Sequence, residues 1–438
     1  MNDFLNLKNL LDKNNIKNRV EEISIYEDDE LTKFLFFNFP IARESEEIRI
    51  RENDPNISSI INSNFMKFRG ISNYEAIWSN ELNYIECEIV MPRNNVPSRF
   101  ILRRLSKLFN SDEYLELESG HEISDPLSLM LYSDARIKVS VGYSSKEFAI
   151  LSTYKDGRHI DIEKDITRFR PTLKIEEVSV KTQDEAKKLL EKVSNSLFYQ
   201  LDILYDLVIT LCPRKESRVA RTKRVRKSNS TEVDIQDIKL DYEYDEIPMA
   251  LYWFAQSNSD SPIFKYFALY QALEYYYPIY TTATAKTRIQ SLIKDPKFNI
   301  NKDSDVVQLL SIIKINSMSN ISDEREQLSI TLRNIVSGDE IIDFIANNEN
   351  LNDYYTNKSA KKISDQKLRL TDKIGIVDDV AERIYEIRCR IVHNKASEIN
   401  NKILPMTKNV DYLVNEVALL EFIARKAIIA NSCPFTLV

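Results

Sequence analysis

Two apolar periods divide the chain. In the first half apolar residues alternate with polar ones: Ile137, Val139, Val141 and Tyr143 are separated by Lys138, Ser140 and Gly142. That two-residue repeat predicts a strand with one buried face. Glu147–Thr153, across the turn Tyr143–Lys146, has strand propensity too, and the pair reads as a β-hairpin. Leu82–Met91, Leu173–Val180 and Phe34–Phe39, the last ending at Pro40, are further predicted strands. Pro97–Asn110 reads as a basic amphipathic helix, with Phe100, Leu102, Leu105 and Leu108 on one side. Thr182 and Glu185 have the spacing of a capping box. Ala186, Leu189, Leu190, Val193, Leu197, Leu201 and Leu204 then follow a helical period, predicting a long helix that ends near Pro213.

From Ile247 onward the period is helical. Ser261 and Pro262 suit an N-cap and first turn, and Ile263–Tyr277 is apolar around most of its circumference up to Pro278. A helix of that kind is predicted at the centre of a bundle, with Gln271 and Glu274 as its inward-capable polar residues. Further helices are predicted over Asp303–Ile315, Asp323–Val336, Asp339–Asn347, Asp378–His393 and Asn409–Asn431, and Asn350–Thr371, which is polar, reads as a long loop. Between the halves, Arg214–Lys227 is dense in Lys and Arg and Asp241–Glu246 is acidic. The expected class is α+β: an N-terminal domain over 1–213 with an antiparallel sheet, a flexible basic-then-acidic linker over 214–246, and an all-α bundle over 247–438.

Composition removes much of enzyme chemistry. Only six glycines occur in 438 residues, and no two are close enough to cradle a phosphate. Four cysteines, Cys87, Cys212, Cys389 and Cys433, lack paired spacing, which argues against zinc and disulfides. With three histidines, a histidine-built metal site is not expected, and neither is any cofactor. The N-terminal segment MNDFLNLKNLLDKN has no uninterrupted apolar core, and no run is long enough to span a bilayer, so a cytoplasmic protein without membrane attachment is expected. The net charge of −7 argues against a general nucleic-acid coat protein. In the linker, Arg218, Arg221, Lys223 and Arg224 can contact an RNA backbone or simply be a solvated tether. His121 and His159 read as loop histidines.

The third histidine has a different setting. Val380–Lys395 reads VAERIYEIRCRIVHNK. Val380, Ile384, Ile387 and Ile391 form a buried stripe, and Arg388, Arg390, His393 and Lys395 lie off it. An imidazole carries a proton near neutral pH, and a guanidinium can hold charge developing on a phosphate. Five positions turn through about 140°, so Arg388 and His393 meet only where the helix ends or bends, or where a second copy completes the site. Alternatively, Arg388 pairs with Glu386 or Glu274 and His393 ends a helix.

The arginine, four residues and histidine resemble the R-x4-6-H signature of HEPN domains, a helical family rich in RNases of bacterial defence and toxin systems. An aromatic helix carrying YQALEYY, several helices, ERIYEIRCRIVH and a last amphipathic helix resemble the ApeA-like branch over Ile247–Val438. The resemblance implies an HEPN-like helical bundle, a homodimer through that bundle, and a metal-independent endoribonuclease acting in antiphage abortive infection or as a toxin. His393 is then general base or acid, and Arg388 steadies the phosphorane; products carry 2′,3′-cyclic phosphate and 5′-hydroxyl ends. Cys389, Asn394, Glu274 and Tyr385 are the expected supporting residues, and Arg390 and Lys395 the expected phosphate contacts. RNA and a phage-derived activator are the expected partners, with residues 1–213 a sensing or substrate domain. Cys389 departs from the Asn, Asp or His common after the family's arginine. That departure keeps a second class open, a non-catalytic RNA- or nucleotide-binding or dimerisation module. In a third, the N-terminal domain does the work and the helical half only oligomerises.

Overall fold

The computed structural model describes residues 2–24, 31–41, 44–91, 101–102, 104–105, 128–134, 136–155, 170–214, 239–258, 261–315, 321–356, 363–392, 403 and 409–437. The chain divides into two units, Met1–Glu243 with Pro434–Val438, and Tyr244–Cys433.

In chain order, the first unit contains α1 (Asn2–Lys13), β1 (Asn18–Ser24), β2 (Leu31–Ile41), β3 (Glu44–Arg51), α2 (Ile57–Asn62), β4 (Arg69–Gly70), β5 (Ala76–Ser79), β6 (Tyr84–Val90), β7 (Ser128–Ser133), β8 (Lys138–Tyr143), α3 (Lys146–Lys155), β9 (Pro171–Glu176), α4 (Gln183–Tyr205) and β10 (Thr210–Leu211). The strands form one sheet ordered β1-β2-β4-β5-β6-β9-β8-β7, with β3 beside β2 and β10 beside β6. The α+β expectation holds, but the sheet is mixed: β2 and β4 cross in parallel at Ile41 and Gly70. A Cβ on Gly70 would lie 2.7 Å from Ile41 Cγ1, so this close approach suits glycine. Alternation along β2 sends Leu35, Phe37, Phe39 and Ile41 into a core shared with Phe4, Leu7 and Leu11 of α1 and Phe148 and Leu151 of α3. On its other face, Arg49 lies 3.8 Å from the Phe34 ring centre and Arg19 lies 4.6 Å from that of Phe36.

Three expectations for this unit change. The segment predicted as a strand over Glu147–Thr153 is the helix α3. Ser145 caps it, accepting from the Phe148 N–H at 3.2 Å, while the buried Glu86 carboxylate accepts from Ser145 N–H at 2.9 Å. The strand at Phe34 runs past Pro40 to Ile41, because Pro40 pairs with Ser45 at the hairpin end. The long helix α4 keeps its predicted start, with Thr182 accepting from Glu185 N–H at 3.2 Å, but stops at Tyr205. Asp206 turns left-handed there (φ 49°), and the buried Leu207, Val208 and Ile209 lead into β10. Of the predicted helix Pro97–Asn110, Ile101, Leu102, Arg104 and Leu105 are described and helical. The basic residues 215–238, His121 and His159 lie outside the described residues.

The second unit contains α5 (Glu246–Ser257), α6 (Pro262–Glu274), α7 (Tyr277–Lys294), α8 (Asp303–Ile315), α9 (Ile321–Ile335), α10 (Gly338–Ala346), α11 (Glu349–Thr356), α12 (Gly375–Val392) and α13 (Asn409–Ala430). The aromatic helix α6 packs against α5, α12 and α13, with Tyr266, Leu269, Tyr270 and Leu273 buried. It is not buried all round: Phe264 is 60% exposed and Phe267 37%. Pro278 does not follow its end but opens α7, where a proline ring suits the first turn. The predicted loop over Asn350–Thr371 contains α11, held by two apolar residues, Leu351 and Tyr354, which a polar sequence conceals. Among the described residues, no helix is long and apolar enough to cross a membrane.

Candidate functional site

The motif helix α12 is fixed at its start by acids. Asp378 accepts from Arg333 Nε at 2.9 Å and Nη2 at 2.8 Å, tying α12 to α9. Asp379 accepts from Arg369 Nε at 2.8 Å and from Gln366 Nε2 at 3.0 Å. Val380, Ile384 and Ile387 are buried as the stripe requires, and Ile391 is half-buried. The Tyr266 hydroxyl donates to the Ile384 carbonyl at 3.0 Å, binding α12 to α6. In mid-helix, Arg383 is sealed against Glu416 of α13.

Arg388 sits differently. Its Nη2 lies 3.2 Å from Glu324 Oε1 at the start of α9, with both side chains a little under one-fifth exposed. The pairing acid is therefore Glu324, and neither Glu386 nor Glu274. The guanidinium carbon lies 5.6 Å from the ring centre of Tyr270, an arrangement that favours a cation. The Tyr270 hydroxyl donates to the same Glu324 oxygen at 2.6 Å. Arg388 Nε is buried without an acceptor, an arrangement that is costly for a polar group. Burial opposes the arginine's charge, but Glu324, Tyr270 and Cys389 outweigh it and raise its pKa.

Three supporting residues expected from the sequence belong to this cluster. Glu274 has its carboxyl pKa raised by burial and then by Glu324, with Arg388 opposing. The Tyr385 hydroxyl is pushed up to about 12 by burial, then by Cys389 and Glu324. Arg325 stands 5.0 Å over the Tyr385 ring and pairs with Glu382 at 3.2 Å. Cys389 is half-buried beside Tyr385 and Arg388.

Arg390 does not join them. Its Nη1 donates to the Ile363 carbonyl at 2.7 Å, and its Nη2 meets Asp365 at 2.7 Å and also Glu386. It clamps the segment beside α12. His393, Asn394, Lys395, Arg218, Arg221, Lys223 and Arg224 lie outside the described residues. The sequence reasoning missed Glu324 and the contact role of Tyr270; the signal for the latter was an aromatic helix otherwise assigned to the core. Among the described residues, no group of three or more His, Cys, Asp or Glu side chains could hold a metal ion.

The cluster is an arginine with one long ionic contact and an unused donor, walled by an aromatic ring and two carboxylates. Such a group can accept an oxyanion through its fork of donors. Comparison with known proteins gives no match, whether to a family model, a curated protein or a solved structure.

Proposed function

We propose that the second unit is an HEPN-like bundle and that the chain is a metal-independent endoribonuclease of that type, acting in antiphage defence or as a toxin. The observation that carries this reading is the incomplete coordination of Arg388, five positions before His393 on the chain. A guanidinium committed to the fold uses its donors, whereas one that stabilises a transition state keeps some for the charge that develops.

His393 as base takes the 2′-hydroxyl proton, the 2′-oxygen bonds to phosphorus, and Arg388 neutralises the anionic phosphorane. The P–O5′ bond then breaks, and the leaving 5′-oxygen takes a proton from an imidazolium, which a homodimer supplies as His393 of the partner subunit. The products are a 2′,3′-cyclic phosphate and a 5′-hydroxyl. Glu274 and Tyr385 act on the site through Arg388 and Cys389. Residues 1–213 are the sensing or substrate domain in this reading, and a phage product is the activator.

The test is incubation of the full chain with end-labelled RNAs in EDTA, with and without phage-infected extract, beside His393→Ala and Arg388→Ala. Cleavage to cyclic-phosphate ends, reduced about 10²–10⁴-fold in both variants, is the expected result. Bound RNA that is never cut, with affinity equal in both variants, would instead identify a binding module.

A further inference from the structure

Glu324 touches both Arg388 and its aromatic wall. Its contact with the guanidinium is single and 3.2 Å long, whereas its bond from Tyr270 is 2.6 Å. A phosphodiester offers two non-bridging oxygens, and arginine binds such pairs through two parallel N–H donors. Glu324 therefore gives Arg388 less than a phosphate would, and the buried Nε is left without an acceptor. Charge argues the same way. Glu324 and Glu274 both act on one guanidinium, and the neighbouring cation Arg325 is engaged by Glu382. Among the described residues, a phosphate arriving at Arg388 therefore meets two carboxylates beside that cation.

We propose that Glu324 is an internal stand-in for the RNA phosphodiester: it holds Arg388 in the resting protein, and substrate binds by displacing it. Tyr270 makes the exchange possible. Its hydroxyl stays on Glu324 when the guanidinium leaves, so the partly buried carboxylate retains a strong hydrogen bond instead of standing bare. This inference rests on Arg388 being the phosphate-binding group of the proposed function. It adds that acceptance of the phosphodiester is set by a carboxylate on a different helix, one absent from the motif.

Opposite signs at two neighbouring positions provide the test. Glu324→Gln removes the competing charge, and Tyr270→Phe removes the bond that draws Glu324 off the arginine. Binding of a fluorescent 2′-O-methyl RNA, which has no attacking hydroxyl, is measured on the full chain. Glu324→Gln is expected to bind about tenfold tighter and Tyr270→Phe about threefold weaker. The gain should vanish in Glu324→Gln/Arg388→Ala. With cleavable RNA, Glu324→Gln should lower KM by a similar factor and leave kcat unchanged.

Equal or weaker binding by a folded Glu324→Gln would overturn the inference and make Glu324 a positioning residue for Arg388. Should Glu324→Gln fail to fold, Glu324→Asp decides: its shorter side chain should loosen the hold on Arg388 and tighten RNA binding, and equal or weaker binding would likewise overturn the inference. Failure of the nuclease reading looks different. An Arg388-dependent gain in Glu324→Gln without cleavage by any variant would reject the nuclease reading and keep the stand-in. Cleavage lost in Arg388→Ala but unimproved by Glu324→Gln would do the reverse.

Discussion

Arg383 and Arg388 are one residue type on one helix, five positions apart, and they are used in opposite ways. Arg383 and Glu416 are each 2% exposed. Arg383 Nε donates to both carboxylate oxygens at 3.0–3.1 Å, and Nη1 also reaches the Gln366 carbonyl. Glu416 takes the hydroxyls of Tyr354 at 2.6 Å and Tyr355 at 3.0 Å. The four groups lock α11, α12 and α13 together. Arg388 has one long ionic contact, a ring beside it and a donor with no acceptor. Burial with full pairing makes an arginine part of the architecture, whereas burial with incomplete pairing leaves it free energy to gain from a ligand.

The largest effect belongs to the first arginine. Arg383→Met strands Glu416 in the core and is expected to remove about 3–5 kcal/mol of stability, read by chemical denaturation. Little loss would break the contrast from that side. A second buried network extends it: Glu421 is paired with Lys265 and bonded by Arg425 Nη2 at 2.8 Å and Gln256 Nε2 at 2.7 Å. Burial alone would raise the Glu421 pKa, but Lys265 and Arg425 hold it at about 2. A lowered folded value gives stability that is present above the ordinary carboxylate range and lost as pH falls toward 2. The melting temperature should therefore fall between about pH 5 and pH 2, and Glu421→Gln should fall less steeply over that range.

Arg388→Met is expected to change stability by no more than about 1 kcal/mol, since one long, partly buried ion pair and an unpaired donor are removed together while Tyr270 still donates to Glu324. A loss as large as that of Arg383→Met would make both arginines architectural. The smallest effect is that of Glu274. Its raised value means the fold favours the protonated acid, so its contribution is complete below the ordinary carboxylate range and lost as pH rises through the raised value. Glu274→Gln should match the wild type near pH 4 and melt slightly higher near pH 7, by a calorimetric scan at each pH.

Elements with local signals were legible. Lys138–Tyr143 and Asp303–Ile315 form where the periods place them, and Thr182 starts its helix. The rest turned on distant partners. Phe148, Ile150 and Thr153 favour a strand in isolation, yet Glu86 fixes Ser145 as a helix cap from across the sheet. Continuing apolar residues up to Pro213 hide the left turn at Asp206. Tyr354 makes helix α11 worthwhile by reaching Glu416, a partner that no window around residue 354 contains. In the site, Arg388 could be read from its motif, while Glu324 sits in the ordinary charged start of another helix and comes to Arg388 only through the packing of α9 on α12.

One lysine of the first unit has a consequence for the helical half. Lys192 on α4 pairs with Glu243 at 2.6 Å and donates to the Thr436 carbonyl at 2.9 Å, while Phe435 N–H donates to the Asp241 carbonyl at 2.8 Å. The residues flanking Tyr244–Cys433 on either side are thus pinned to one point. The whole segment is a loop closed at its base, and its ends cannot drift apart when its helices open. Ring closure limits the disorder available to an opened chain, and the penalty of imposing it grows only as the logarithm of length. A long segment closed in this way therefore reassembles from a narrower ensemble than a free helical tail.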